Sequence, residues 1–172
     1  MERCLDLLLT RRSVRKFEGR EVSEDVIREV LDVARYAPSA RNSQPWEFVV
    51  IKDRKLIYEL GRVHKYASPL LNAPLAIVVL CDPKASPTSY LVDCANATLY
   101  LMLAAHALGL GSVWIQSLRD AERINGLIGA PADMVPVAVL ALGYPAESPS
   151  PLSRKELSEI VHLNKYGSRW EG

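Results

Sequence analysis

The sequence predicts a single-domain α+β fold, and three observations carry that expectation. Short apolar runs at residues 48–51, 75–80, 112–115 and 137–142 have the length of strands. Between them lie stretches with apolar residues at helical spacing, of which Val26, Ile27, Val30, Leu31, Ala34 and Ala37 form the clearest face. The chain has 172 residues with no repeat and no second domain, so residues 1–172 read as one unit. At this length folding buries about 70% of the unfolded chain's surface, enough for a proper core.

Each element follows from local chemistry. Residues 4–9 form a short helix. Ser23 is an N-cap, and Glu24 and Asp25 suit the positive start of the next helix. The strand at 48–51 leads to Asp53, which caps a helix carrying Leu56, Ile57, Leu60 and Val63. Pro74 opens the run 75–80, which is apolar at every position and so reads as buried on both faces. Pro83 and Pro87 mark a loop. The helix at 90–108 ends at Gly109, suited to a left-handed cap. Its apolar residues run nearly all the way round, so both sides need cover, and a partner subunit is the expected one. The strand at 112–115 precedes Asp120, the cap of a helix ending near Ile128 and Gly129. The strand at 137–142 terminates at Gly143-Tyr144-Pro145. Residues 147–151 hold two prolines and two serines and are extended. Beyond them Ser153-x-x-Glu156 reads as a capping box, and 157–163 reads equally as a strand; local pattern does not decide.

Net charge is +1, so no global field selects nucleic acid or acidic membranes. The basic residues are nevertheless clustered, with four between Arg11 and Lys16. A solvated loop or a nucleic-acid patch is the bland reading of that cluster, and a phosphate site the sharper one. Cys4, Cys81 and Cys94 lie far apart with no Cys-x-x-Cys and no nearby His pair, which argues against zinc and against a disulfide framework. Three unpaired thiols suit a reducing, cytoplasmic setting. Glu2, Arg3 and Asp6 in the first helix argue against a signal peptide. Residues 91–110 are the most apolar, yet Asp93, Asn96 and His106 make them a buried helix rather than a membrane span. His64 and His106 are expected on helices and His162 in the tail, as packing or surface residues. No metal cluster, Ser-His-acid triad, Gly-x-Gly-x-x-Gly loop or phosphate-binding lysine loop is visible, so no resident nicotinamide domain is expected.

Two segments carry the chemistry. Arg11, Ser13 and Arg15 alternate along an extended stretch, so they converge on one ligand. Guanidinium forks and a hydroxyl suit a phosphate or a ring carbonyl. The nine residues from Pro38 to Trp46 hold two prolines, two serines, Arg41, Asn42 and Gln44. Pro38 and Pro45 push Ala37 and Gln44 out of helical geometry, so this joint is stiff, polar and rich in donors. Its bland reading is that Ser39, Asn42 and Gln44 satisfy the loop's own backbone. Trp46 reads as core. Together the two segments suit an anionic, planar ligand.

Four motifs, in order and over nearly the whole chain, resemble the FMN-dependent nitroreductase family. They are Arg11-Arg12-Ser13-x-Arg15, and Ala37-Pro38-Ser39-Ala40-x-Asn42-Ser43-Gln44-Pro45-Trp46; Asp93 opening an Ala/Leu-rich helix followed by Gly109-Leu110-Gly111-Ser112-Val113-Trp114; and Ala141-Leu142-Gly143-Tyr144-Pro145 followed by Arg154-Lys155. The resemblance implies a central mixed sheet flanked by helices in an intertwined homodimer, with residues 145–172 an arm on the partner subunit. It implies an FMN-dependent oxidoreductase in which NADH or NADPH visits transiently and a nitroaromatic, quinone or similar acceptor follows in a ping-pong scheme. Other reactions of the same fold, such as reductive dehalogenation or flavin fragmentation, and a flavin carrier or sensor are the alternatives. Arg11 and Ser13 would lie near the phosphate and ribityl chain and Arg15 near the pyrimidine edge, with Arg12 at the motif's variable position. Pro38, Ser39, Ala40 and Asn42 would reach the flavin of the opposite subunit. Gln116 and Ser117 would present backbone amides; some relatives have a carboxylate–glycine pair there. Some relatives also carry a basic residue where this chain has Leu152, so Arg154 would hold the phosphate with Lys155 or alone. The chemistry itself would be carried by FMN, with no catalytic side chain.

Overall fold

The computed structural model describes residues 2–170 and builds them around a four-stranded sheet in the order β1-β2-β4-β3. The strands are β1 (Trp46–Ile51), β2 (Leu75–Cys81), β3 (Gly111–Gln116) and β4 (Val135–Gly143). The helices are α1 (Glu2–Thr10), α2 (Glu24–Ala34), α3 (Arg54–Leu60), α4 (Tyr90–Ala107), α5 (Ala121–Ile128) and α6 (Leu157–Ile160). All three strand pairs are antiparallel, so the expected mixed sheet is corrected. The only parallel pairing among the described residues is the bridge Ser13↔Ser112, where an extended segment touches the free edge of β3.

The apolar run of β2 is sorted by the strand's period of two. Leu75, Ile77, Val79 and Cys81 face one core with α2 and α4, while Ala76, Val78 and Leu80 face a second with Ile57, Leu60 and Ile124. Helices thus cover both faces, as a strand without polar positions requires. The register of β2 against β4 shifts between Val79 and Leu80, opposite Pro136, a residue that cannot donate to the ladder.

The expected caps are present at two helices. Ser23 Oγ accepts from Val26 N, and Asp53 accepts from Leu56 N. Asp120 precedes α5 without a side-chain cap bond, and α5 ends at Gly129 with φ of 69°. Other expectations are corrected. The helix after Asp53 stops at Leu60, leaving Val63 outside it, and His64 stands at the head of the 3-10 segment Lys65–Asn72. Residues 157–160 are a helix rather than a strand, but its capping box joins Glu156 and Glu159, one turn beyond Ser153.

Cys81 and Cys94 form a disulfide, with Cα atoms 6.2 Å apart, against the expectation of unpaired thiols. Their spacing of 13 residues is no motif, and only the docking of α4 on the end of β2 brings them together. With Cys81 and Cys94 paired, the thiols no longer point to a reducing, cytoplasmic setting. Among the described residues no helix is long and apolar enough to cross a membrane.

Candidate functional site

The segment after α1 runs extended along the outer edge of β3. Val14 N donates to Ser112 O at 3.0 Å, and Val14's side chain lies against Gly111. A Cβ on residue 111 would stand 2.7 Å from Val14 Cβ, so glycine here lets the basic segment lie flat on the strand. Farther along, Glu18 N donates to Tyr144 O at 2.9 Å and Ala146 N to Lys16 O at 2.9 Å. Glu147 Oε1 accepts from Arg15 N at 2.6 Å and from Lys16 N at 3.2 Å. One carboxylate therefore clips the segment to the residues after β4.

Two cavities follow one another along β3. Gly111 and Ser112 line the first, of about 480 Å³, together with Arg11, Arg12 and His106. Residues 113–116 line the second, of about 600 Å³, together with Arg15. Six strand residues at about 3.3 Å per step span roughly 17 Å. The strand thus offers two cationic stations to a single elongated ligand.

Arg11 decides what the first station accepts. Its Nη1 is buried and has no hydrogen-bond partner among the described residues. A buried charged donor left unpaired is costly, and a phosphate oxygen satisfies it. Arg12 is engaged differently. Its Nη1 donates to Leu9 O at 2.6 Å and Arg11 O at 2.9 Å, capping the end of α1. His106 Nε2 lies 3.0 Å from Thr10 Oγ1. Burial holds the His106 pKa below its ordinary 6.5, and the positive fields of Arg11 and then Arg12 add to the shift.

At the second station Arg15 Nη1 reaches Ser13 O at 3.4 Å. It does not pair with Glu18, whose carboxylate faces Arg20 at 3.7 Å. Gln116 Oε1 accepts from Leu118 N at 3.1 Å, and Ser117 Oγ donates to Pro136 O at 2.7 Å. Ser117 is thus fully buried and lines neither cavity, while Gln116 is exposed and lines the second. Sequence reasoning missed His64, Lys65, Tyr66, Arg119 and Asp120, which complete this cavity. The available signal was the run His64-Lys65-Tyr66, three polar residues placed just before the buried Pro69 and Leu70. His64 Nδ1 accepts from Tyr66 N at 3.1 Å, so the ring carries its proton on Nε2, 3.0 Å from Gln116 O. That bond ties one wall of the cavity to the end of β3.

The loop of Pro38, Ser39, Ala40 and Asn42 lines neither cavity of its own chain. It is nonetheless tightly held. Arg41, Asn42 and Gln44 have φ of 55°, 56° and 45°, a left-handed conformation that costs non-glycine residues free energy. Asp93, 3% exposed, accepts from Ala40 N at 3.0 Å, Ser86 Oγ at 2.6 Å and Ser43 Oγ at 3.5 Å. Asn96 Nδ2 donates to Pro38 O at 3.1 Å, and Ser39 Oγ accepts from Gln44 N at 3.0 Å. The expected self-satisfaction of the loop is thus real but incomplete, and a buried carboxylate on α4 does the rest. Arg154 and Lys155 are exposed and line neither cavity; Arg154 Nη1 donates to Leu152 O and Ser153 O, both at 3.1 Å. Within one chain the structure brings together Arg11, Arg12, Arg15 and Gln116 along β3, and leaves the loop and the tail cations apart.

The nitroreductase family profile matches residues 8–67 and 61–144. A relative from Methanothermobacter thermautotrophicus, whose name joins NADH dehydrogenase with NAD(P)H nitroreductase, is 40% identical over 94% of this chain and 87% of its own. A solved structure from Clostridium difficile, an FMN-dependent nitroreductase, superposes with a TM-score of 0.87 at 30% identity, covering 94% of this chain and 99% of that one. A structure from Desulfovibrio desulfuricans, solved in complex with FMN, superposes with a TM-score of 0.86 at 30% identity over 94% of this chain and 96% of its own. Four sequence motifs, the architecture and these likenesses agree: the chain belongs to the nitroreductase family.

Proposed function

We propose that this chain is an enzyme that binds FMN along the outer edge of β3 and passes electrons from NADH or NADPH to a nitroaromatic, quinone or similar acceptor. The observation that carries this reading is the buried, unpaired Nη1 of Arg11 at one end of a strand whose other end opens on the 600 Å³ cavity beside Arg15. The similar structure solved with FMN supports the choice of ligand. The redox chemistry, uptake and release of two electrons, comes from FMN when it is bound.

The protein's part is to bind and orient. Arg11 donates to the phosphate, with Ser13 and the field of Arg12 in support. Arg15 would supply a fixed cation beside the pyrimidine edge of the ring. The backbone of Gln116 and Ser117 borders the ring. In a homodimer with two shared sites, Pro38, Ser39, Ala40 and Asn42 cover the flavin of the opposite subunit. There too the tail places Arg154 and Lys155 near the phosphate. Donor and acceptor take turns in one cavity, which is the basis of a ping-pong scheme.

Steady-state oxidation of NADH and NADPH by FMN-replete protein, with and without a nitroaromatic, tests the reading. Acceptor-dependent turnover with parallel double-reciprocal lines is expected. No turnover would favour a flavin carrier, and turnover only with a halogenated aromatic would favour dehalogenation.

A further inference from the structure

The larger cavity carries two cations besides Arg15. Its floor is apolar, formed by Pro69, Val113 and Ile115, all buried. Lys65 and Arg119, both exposed, stand on its rim. Lys65 sits at the start of the 3-10 segment and Arg119 on the turn after β3, and the His64–Gln116 hydrogen bond joins those two pieces of backbone. Among the described residues no carboxylate comes within 4.0 Å of the Arg15, Lys65 or Arg119 cations. Asp120, the one acid lining the cavity, lies 3.9 Å from His64 instead. Arg15, Lys65 and Arg119 thus set three cations against one carboxylate around an apolar floor. Such a cleft focuses its field on an incoming anion.

We propose that Arg119, assisted by Lys65, recognises an anionic group on the molecule that visits the flavin, and so selects anionic reactants over neutral ones of the same shape. The anion is a phosphate of the nicotinamide dinucleotide or a carboxylate on the aromatic acceptor; a guanidinium fork suits both. This inference rests on the flavin reading above.

Calorimetric binding to FMN-loaded protein tests it, with NADP⁺, NAD⁺, 4-nitrobenzoate and neutral nitrobenzene as probes. Arg119→Gln should weaken at least one anionic probe by about tenfold, equal to about 1.4 kcal/mol, and leave nitrobenzene and FMN affinity unchanged. Arg119→Lys, which keeps the charge but not the fork, should restore part of the loss. A loss confined to NADP⁺ identifies its additional phosphate, an equal loss for both dinucleotides the shared diphosphate, and a loss confined to 4-nitrobenzoate an acceptor carboxylate. Wild-type binding of the affected probe should also weaken as salt is raised. Unchanged affinity for all three anions in the flavin-replete Arg119→Gln protein would overturn the inference and leave the flavin reading standing. A wild-type protein that takes up no FMN would overturn the flavin reading. The 4-nitrobenzoate comparison on that flavin-free protein then decides Arg119 by itself: equal binding by wild type and variant rejects it, and a tenfold difference supports it.

Discussion

Arg11 offers a buried donor with no acceptor among the described residues, and this makes it the residue on which cofactor affinity should depend most. Arg11→Ala should weaken FMN by about 1.5–3 kcal/mol, the range for a hydrogen bond to a charged group. Fluorescence titration checks this, and an unchanged dissociation constant would detach Arg11 from the phosphate. His106 reports on the same station. Its pKa is depressed by burial and by Arg11 and Arg12, so the unfolded chain takes up that proton first as pH falls. Its contribution to stability is therefore constant above pH 6.5 and declines below it. A phosphate beside Arg11 and Arg12 offsets their field and raises the His106 pKa, so binding below that pH draws in part of a proton. Calorimetry in buffers of different ionisation enthalpy should show more proton uptake for wild type than for His106→Gln; equal uptake would place the phosphate elsewhere. The Arg11, Ser13 and Arg15 motif was legible because alternate residues of an extended segment share a face. His64 and Arg119 were not legible as lining of one cavity, because a hydrogen bond between the 3-10 segment and β3, remote in sequence, joins their walls.

The loop before β1 depends on α4. Asp93 gathers donors from three places in sequence, Ala40, Ser43 and Ser86. Asp93→Asn converts one acceptor oxygen into a donor, so at least one of these groups loses its partner. At about 1.5–3 kcal/mol for the loss, and about 2–4 °C per kcal/mol for a domain of this size, the melting temperature should drop by several degrees. The left-handed residues of the loop should also relax, which protease sensitivity near Arg41 reports. A variant as stable and resistant as wild type would show that the loop holds itself. Most elements were readable because periodicity and caps act locally, as with Ser23 and Asp53. The disulfide was not: nothing in the spacing of Cys81 and Cys94 says that α4 docks at the end of β2. The tail defeated local reading because residues 151–160 are all exposed, and its helix is fixed by a capping box one turn past the expected one.

Large exposed apolar side chains gather on α1, α4 and the tail. Leu9 is 70% exposed, Val92 65%, Leu99 46% and Leu152 77%. Patches of this kind mark interaction surfaces, and beyond Glu147 the backbone bonds of the described tail run within itself, as from Leu163 N to Ser168 O and from Trp170 N to Val161 O. These features fit an arm that packs on a second copy. Truncation after Tyr144 should abolish both dimerisation and flavin retention; a stable, yellow, monomeric product in sedimentation would refute the shared site. The continuous apolar face of α4 had already signalled a missing cover in the sequence, but which surface supplies it depends on a second chain.

Every role assigned along β3 assumes one ligand with a phosphate at Arg11 and a ring at Arg15. Identification of the acid-released cofactor by chromatography tests that assumption most directly. One FMN per chain is expected, bound non-covalently, in protein that purifies yellow. FAD in its place, or no flavin after reconstitution with excess FMN, would contradict it.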